Sequence, residues 1–407
     1  MIINTQPQSQ HRSTSSQQVI KDQNTMLLFN LVRRRAPISR ADLARCSGLS
    51  PATVSLLAEE LIRNQWICET DAVAQPNGER GRRPILLEIN ASRGFVATVE
   101  ILSRGYICSI YDIRLNKVAA IRSRDRAPSA QQICDTLLGL ARSKRITHSR
   151  LLGVHVLYPG LFDAETGLLG FSAVIDEPDM AQRDLVGYLR GRLPQTHIMI
   201  SNDATMVAYS EFVAEAPDSA TPLLAMTIHE GINAGVVMGG RNCMPVEAGH
   251  IIIQQDGPLC KCSNRGCLET FCSTPALFRR INEQTGLRLD FQETYGADCN
   301  HAAMQQVARA LEAEDGAVIA VLEDYVYALC CGITSIVNLF AVRSVHIGGA
   351  VRILGDRFAQ MLRHTLSTRF HILTSSHELT LELFDDDYES SRKAAVMLMM
   401  ERIFQTV

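Results

Sequence analysis

Three cysteines and one histidine in the middle of this 407-residue chain have the types and the spacing of metal ligands. The set is His250, Cys260, Cys262 and Cys267. The residues between the cysteines are polar and include a glycine, which does not suit core packing; free thiols in a loop are the alternative. A Cys3His set is a standard tetrahedral zinc shell with no position open for substrate. We therefore predict one structural Zn2+ per chain.

A second group of residues, near the N-terminus, has the pattern of a helix-turn-helix. Ser39 and Ser50 are each placed to cap a helix, and Gly48 is free to adopt the positive φ of the turn between them. Short side chains at the start of the later helix suit an approach to base edges and phosphates in the major groove. These residues are Ser50, Pro51, Ala52, Thr53 and Ser55. A helical hairpin used for protein contacts is the alternative.

An arginine-rich loop follows the predicted helices. Residues 66–69 and 85–89 can pair as strands, and the loop between them carries Arg80, Arg82 and Arg83. Arginines on a narrow loop can enter the minor groove or hold phosphates. Residues 1–90 contain 11 Lys and Arg against 8 Asp and Glu, whereas the rest of the chain has a net charge of −6. We therefore predict a winged helix-turn-helix that binds double-stranded DNA.

The elements that must position these groups follow an α/β pattern. From residue 85 onward, short apolar runs alternate with helical or loop segments, and the length predicts two or three domains. We expect a flexible polar arm over residues 1–20 and the winged helix-turn-helix with its basic wing over 21–90. The body should form two α/β lobes, over 91–205 and 206–407, with the zinc site in the second lobe. Two similar halves would suit an actin-like fold.

The composition argues against a membrane-inserted or secreted protein. Apolar residues make up 46% of the chain and charged residues 20%, as in soluble globular proteins. The longest apolar segment, 326–341, is short for a membrane span and contains Asn338. Residues 1–18 are rich in Gln and Ser where a signal peptide needs an apolar stretch. We expect a cytoplasmic protein with no membrane insertion, whose 12 cysteines are thiols or metal ligands.

Taken in order along the chain, these motifs resemble the repressor branch of the ROK family of repressors, open reading frames and sugar kinases. Further motifs of that family lie at 81–84 (GRRP), 158–160 (YPG), 202–204 (NDA), 247–250 (EAGH) and 347–350 (IGGA). The resemblance implies a winged helix joined to an actin-like, two-lobed sugar-kinase body. It also implies sugar-binding roles for Asn202, Asp203, Glu247, His250 and Glu269, with His250 serving zinc and sugar through different ring nitrogens.

The phosphate-binding loops of the family's kinases are altered in this sequence. The first kinase loop, Asp-x-Gly-Gly-Thr, corresponds to residues 100–104, which lack both glycines, so backbone N–H groups cannot easily cradle a phosphate. The second, Gly-Thr-Gly-Ile-Gly, corresponds to 229–233, where Glu230 places negative charge near a triphosphate. We therefore predict no catalytic residue and regard Asp203 as a vestigial base. An active ATP-dependent sugar kinase with a regulatory head is the alternative.

The resemblance implies a repressor of sugar uptake or catabolism genes that responds to a sugar or sugar phosphate. A homodimer or tetramer would place two winged helices on a palindromic operator. Two alternatives for its control stay open. The sugar-site residues could serve only to hold zinc and the hinge, or a sugar-transporter protein could sequester the repressor.

Overall fold

The computed structural model describes residues 16–70, 84–102, 104–125, 128–163, 165–170, 172, 175, 183–215, 221–239, 242–291, 300–370, 379–385 and 388–405. The first part of the chain, residues 16–89, which we call the head, folds as three helices and a small sheet in its described residues. Its elements are α1 (Ser16–Arg35), β1 (Ile38–Ser39), α2 (Arg40–Ser47), α3 (Pro51–Arg63), β2 (Ile67–Thr70) and β3 (Leu86–Ile89). The strands are antiparallel in the order β1-β3-β2.

The helix caps in the head are the predicted ones. Ser39 Oγ accepts a hydrogen bond from the Asp42 backbone N–H at 3.1 Å, and Ser50 Oγ accepts one from the Thr53 N–H at 3.2 Å. Gly48 ends α2 with φ of 70°, the left-handed conformation that the turn requires. Such caps are each worth about 1 kcal/mol. The inner face of α3 is buried and consists of Val54, Leu57, Ala58 and Leu61.

The predicted arm over residues 1–20 is wrong from Ser16 onward, because α1 begins there. An ion pair between Lys21 Nζ and Glu60 Oε2 at 2.8 Å connects the early part of α1 to α3. Residues 16–20 therefore continue a helix that is attached to the rest of the head. Residues 1–15 lie outside the described part of the chain, as do residues 71–83 of the predicted wing loop.

The body contains two five-stranded sheets with the same order of strands. The first has the order β6-β5-β4-β7-β8 and the second β11-β10-β9-β12-β13, so each sheet reads 3-2-1-4-5 along its own part of the chain. In each sheet the first three strands are antiparallel and the last two are parallel additions. The two similar halves and the α/β class confirm the predicted actin-like fold.

The elements of the first half are β4 (Phe95–Leu102), β5 (Gly105–Asp112), β6 (Lys117–Ser123), α4 (Ala130–Ser143), β7 (Leu151–Tyr158), α5 (Leu185–Arg192) and β8 (His197–Asn202). Those of the second half are α6 (Asp203–Glu215), β9 (Leu223–Ile228), β10 (Ile232–Met238), β11 (Asn242–Val246), α7 (Leu268–Cys272), α8 (Thr274–Gln284), α9 (His301–Glu312), α10 (Gly316–Phe340), β12 (Ser344–Gly349), α11 (Gly355–Arg369), β13 (Thr380–Leu383) and α12 (Tyr388–Gln405).

The last helix, α12, connects the two halves. It packs on α6 and also on strands β4 and β7 of the first sheet. Gly153 of β7 makes room for this contact, because a Cβ at that position would lie 2.7 Å from the Met399 side chain. The prediction of one lobe over 206–407 does not include this return of the chain to the first sheet.

The long apolar segment predicted not to span a membrane belongs to α10. By length and composition this helix could cross a membrane, yet 56% of its apolar window is buried inside the structure. Its inner face forms much of the core of the second half, including Val326, Leu329 and Ile333. The apolarity of α10 is therefore explained by core packing.

Candidate functional site

The four predicted metal ligands meet at one place in the second half. One donor atom from each of His250, Cys260, Cys262 and Cys267 lies within 4.8 Å of the other three. His250 ends a single 3-10 turn over Ala248–His250, and Cys267 is the residue immediately before α7. Between them the chain folds back on itself, so that donors up to 17 positions apart in sequence converge.

The loop that carries the cysteines depends on one glycine. Gly266 has φ of 73°, and a Cβ there would lie 1.5 Å from the carbonyl oxygen of Gln254. The Cys260 N–H donates to the Asn264 carbonyl at 2.8 Å, which closes the turn that presents Cys260 and Cys262 on the same side. A larger residue at 266 would displace this turn and the sulfur atoms with it.

The distances within the cluster fit a zinc ion. Cys262 Sγ lies 3.6 Å from Cys267 Sγ, and Cys260 Sγ lies 3.6 Å from His250 Nδ1. A tetrahedral ion with Zn–S bonds of about 2.3 Å separates its sulfur ligands by about 3.8 Å. The donors are therefore already at the spacing that such an ion needs, and His250 faces the cluster through Nδ1.

Glu269 lies directly beside the cluster. Its Oε1 accepts a hydrogen bond from Cys260 Sγ at 2.9 Å and is 3.7 Å from His250 Nδ1. Burial and this carboxylate both raise the pKa of the Cys260 thiol. The second oxygen, Oε2, faces the backbone of Gly231 and Gly249, where a Cβ would approach it to 3.2 and 3.3 Å. Glu269 thus links the cysteine loop to the β9–β10 turn.

The other predicted sugar residues occupy two positions. Glu247 is exposed and precedes the same 3-10 turn as His250, whose N–H donates to the Glu247 carbonyl at 3.0 Å. Asn202 and Asp203 lie where β8 ends and α6 begins, and both side chains accept from the Ala204 N–H at 2.9 Å.

Strand β10 connects these two groups of sugar residues. It begins beside Gly231 and Glu269, and at Gly235 its backbone packs on Ala204, where a Cβ would be 2.6 Å from the Ala204 oxygen. Three residues of a strand span about 10 Å. The structure thus brings His250 and Glu269 together, places Glu247 at the start of the turn that ends at His250, and connects this group through one strand to the start of α6.

The first altered loop contains a buried ion pair that the sequence did not predict. The Glu100 carboxylate accepts from Arg392 Nε at 2.8 Å, and the two side chains are only 8% and 14% exposed. The chain then turns tightly between Leu102 and Gly105, which pair across β4 and β5. Arg392 belongs to α12, 292 positions away in sequence, so no local pattern could have indicated it.

The second altered loop is the tight turn between β9 and β10. Glu230 at its tip is 3.8 Å from Lys261 Nζ, which lies in the cysteine loop. His229 stacks on Tyr388 with ring centroids 6.4 Å apart, and its carbonyl accepts from the Thr274 N–H at 2.8 Å. Each contact attaches this turn to another part of the protein.

Gly348 and Gly349 are packed closely by neighbouring groups. A Cβ on Gly348 would lie 2.5 Å from the Phe384 ring, and one on Gly349 would lie 2.3 Å from the Ile228 carbonyl oxygen. Both glycines therefore have a packing reason in this fold.

The predicted DNA-contacting residues form one end of α3. Pro51 and Ala52 are exposed, and Thr53 and Ser55 are half-buried. The hydroxyls of Ser50 and Thr53 lie 2.8 Å apart, so they are bonded to each other. Leu56, one turn beyond Ala52, is 60% exposed and was missed, because its apolar type suggested the helix interior. Arg80, Arg82 and Arg83 lie outside the described residues.

Comparison with known proteins agrees with the architecture. The sequence profile of the ROK family matches residues 109–382 of the chain. The chain is 24% identical over 379 residues to the xylose repressor of Bacillus subtilis. This alignment covers 90% of this chain and 92% of that protein. It is 26% identical over 344 residues to the Escherichia coli DNA-binding transcriptional dual regulator NagC, covering 82% of each protein.

Solved structures show the same fold. A ROK family transcriptional regulator, a homologue of the E. coli MLC protein, superposes with a TM-score of 0.70 at 20% identity and covers 95% of this chain and 99% of its own. A ROK family glucokinase from Streptomyces griseus, solved with glucose and AMPPNP, has a TM-score of 0.54 at 18% identity. It covers 99% of its own chain but 75% of this one.

Proposed function

The chain belongs to the ROK family, and from this premise we propose that it is a DNA-binding transcriptional repressor of sugar uptake or catabolism genes. The observation that carries the proposal is the combination within one chain of a three-helix head and a body with the actin-like double sheet. Relatives named as xylose repressor and as the regulator NagC align with 90% and 82% of the chain, and the solved ROK family transcriptional regulator covers 95% of it. The proposed activity therefore involves both parts of the molecule.

We propose that the head binds DNA as a winged helix-turn-helix. The N-terminal end of α3 offers small exposed groups to the major groove, and Leu56 extends that surface by an apolar group suited to thymine methyls. The strands β2 and β3 support a wing, and Arg80, Arg82 and Arg83 on it would contact phosphates or the minor groove. Two heads in a homodimer would read the two halves of a palindrome.

We propose that the effector, a sugar or sugar phosphate, binds between Asn202, Asp203, Glu247, His250 and Glu269. Carboxylates and an amide can bond several hydroxyls at once. A zinc ion held by His250 Nδ1 and the three sulfurs would fix the ring orientation of His250 and leave Nε2 for a ligand. The ion would supply folding energy to the loop and no bond-making chemistry, since four protein ligands close its shell.

We further propose that the protein does not phosphorylate its sugar ligand. The carboxylate of Glu100 is held by Arg392 where the family's kinases bind phosphate, and Glu230 would repel a triphosphate. Asp203 remains at the position of the catalytic base without a phosphoryl donor to use. Sugar binding would instead bias the placement of the heads, which is an allosteric coupling.

Selection of duplexes from a random DNA pool by the full chain tests the central proposal. Ala52→Glu puts a carboxylate at the second position of α3, facing DNA phosphates, and should weaken binding of the selected duplex at least about tenfold. The matched control is Ala302→Glu, an exposed alanine at the second position of α9, which should bind as the wild type does. Absence of salt-sensitive, sequence-selective binding with or without sugars would overturn the proposal.

Titration of the selected complex with xylose, glucose, N-acetylglucosamine and their phosphates tests the effector. One of them should change the affinity, and Glu269→Gln should remove the change. If none does while a sugar-transporter protein releases the DNA, the repressor is controlled by sequestration instead. Sustained ADP release with a sugar and ATP would show an active kinase.

A further inference from the structure

The head is attached to the body by an aromatic cluster. Phe29 of α1 and Trp66 pack against Phe404 of α12, with ring centroids 4.4 and 5.3 Å from that of Phe404. The Arg93 guanidinium lies over the Trp66 ring, 4.4 Å from its centroid. The end of α12 is thus the part of the body on which these aromatic residues of the head pack.

Beside this aromatic cluster lies a cavity of about 580 Å3. It is bounded by the end of α1, the turn between β5 and β6, and the helices α6 and α12. These elements belong to the head, the first half and the second half of the body. Ligand sites often form between domains, in cavities of roughly 300–1,000 Å3. A molecule bound in this cavity would contact all three parts.

Basic residues outnumber acidic residues in the lining of the cavity. Among the described residues that line it, four are arginines (Arg33, Arg34, Arg35 and Arg114) and one, Glu401, is acidic. Arg114 has its own partner in Glu88, with two contacts of 3.1 Å. The remaining cationic wall has a single lining carboxylate.

That carboxylate is shared. Glu401 Oε1 lies 3.6 Å from Arg33, which is longer than a hydrogen bond, and Oε2 accepts from the Tyr209 hydroxyl at 3.1 Å. Arg33 Nε donates to Asn30 Oδ1 at 3.4 Å, and Arg34, also 3.6 Å from Glu401, has a further partner. The Arg33 side chain is only 8% exposed, and burial lowers its pKa. A second anion would offset that desolvation and give short, charge-assisted hydrogen bonds.

The rest of the wall is apolar. Ile113, Phe212, Met397 and Met400 line the side of the cavity formed by the body. Methionines adapt to irregular ligands because their side chains are flexible and polarisable. The cavity thus combines a cationic end with an apolar side, which suits a molecule with both characters.

We propose that this cavity is a second ligand site, which binds a small organic anion with its carboxylate or phosphate against Arg33 and Arg34 and its apolar body against Met397 and Met400. A duplex phosphate fits less well, since Arg33 is buried at the junction between head and body. Because the ligand contacts the head and both halves, it stabilises one placement of the head. The consequence for DNA affinity rests on the proposed repressor function; the binding itself does not.

Methyl NMR of the full chain labelled with 13C-methyl methionine tests the site without DNA. The chain has 13 methionines, of which Met397 and Met400 line the cavity, whereas Met304 lies in the core of the second half. The probes are phenyl phosphate and phenylacetate, with 2-phenylethanol as the neutral control. We expect at least one anion to shift Met397 and Met400 saturably, to leave Met304 unchanged, and the alcohol to have no such effect.

Two variants locate the binding determinants. Arg33→Leu should weaken anion binding about tenfold or more, and Arg142→Leu, an exposed arginine on α4, should leave it unchanged. Val213→Trp fills the cavity from α6 without changing a charge and should also abolish the shifts, which keeps the test decisive if Arg33→Leu does not fold.

Four results would overturn the proposal. They are no saturable shift with either anion, an equal shift with the alcohol, undiminished binding in folded Arg33→Leu, and undiminished binding in folded Val213→Trp. Anion binding without any DNA binding would leave the second site standing and remove the repressor proposal instead.

Discussion

The cysteine cluster, which we call the cysteine end, and the two altered loops at 100–104 and 229–233, which we call the phosphate end, differ in how their polar groups are used. At the cysteine end, His250 and Glu269 lie beside three sulfur atoms that are close enough together to bind one metal ion. The neighbouring backbone leaves no space for a Cβ at Gly249 or Gly266. At the phosphate end, whose name rests on the sequence resemblance alone, the acidic groups lie beside basic residues of this chain. Glu100 is bonded to Arg392 and Glu230 lies near Lys261.

Under the proposed function, this difference means that one half of a ligand site is kept and the other is closed. A buried carboxylate is costly without a counter-charge, so the charges at the phosphate end require partners from within the protein. Arg392 supplies one from α12, the helix whose far end holds the head. A single helix of 18 residues, α12, therefore contacts both Glu100 and the head.

The largest expected effect comes from removing a donor at the cysteine end. Cys260→Ser should release the zinc that we propose and destabilise the second half by several kcal/mol, because metal binding free energy is folding free energy. Metal analysis and thermal unfolding of protein purified without chelators measure both quantities. Cys46→Ser, an exposed thiol of the head, is the control and should change neither. Wild-type protein without bound zinc would contradict the prediction.

At the other end, Arg392→Met should cost about 3–5 kcal/mol of unfolding free energy, because Glu100 is left charged and buried. Adding Glu100→Leu to this variant should recover most of the loss. The control, Arg352→Met, breaks an exposed pair with Asp385 and should cost no more than about 1 kcal/mol. Urea unfolding compares the three proteins. Equal losses in Arg392→Met and Arg352→Met would mean that the phosphate end is not closed by a buried charge pair.

The unfolding free energy should also depend on pH, through a histidine that joins β7 to α12. His155 of β7 is fully buried, and burial lowers its pKa to about 4, against the opposing hydrogen bond to the Ala395 carbonyl at 2.9 Å. Its ordinary pKa is 6.5, so the unfolded chain takes up the proton first. The contribution of neutral His155 is complete above pH 6.5 and is lost as the pH falls towards 4, in total roughly 3 kcal/mol.

His155→Gln isolates this contribution, since an amide can still bond Ala395 and Ser201. Between pH 6.5 and 4 the wild type should lose about 3 kcal/mol more unfolding free energy than the variant. Parallel stability curves for the two proteins over that range would show that His155 does not set the pH dependence.

Local chemistry explains which features the sequence could predict. The caps at Ser39 and Ser50 and the cysteine loop depend on residues a few positions apart, and the parallel strands are recognisable as apolar runs. Three antiparallel strands were missed: β6 and β11, each at one edge of its sheet, and β5, which lies between β6 and β4. β6 is largely exposed, and β11 contains Pro245, which edge strands tolerate because one side needs no hydrogen bonds.

Contacts between distant residues could not be predicted in the same way. The Glu100–Arg392 pair and the packing of Phe404 on Phe29 join the end of the chain to its first quarter. Nothing in the spacing of α12 distinguishes it from an ordinary core helix. The sequence could therefore not predict that Arg392 pairs with Glu100, although it did show that the loop at 100–104 has no glycine.

The smallest expected effect concerns the exposed pair of Glu230 and Lys261, whose side chains are 41% and 72% exposed. Lys261→Met should change the unfolding free energy by at most about 0.5 kcal/mol, because solvent screens such pairs. Glu230→Thr, which restores the kinase-type residue, should not produce ADP release with glucose and ATP, because Arg392 still holds Glu100. Sustained turnover in Glu230→Thr that Asp203→Ala abolishes would show instead that one surface charge alone separates this body from a kinase.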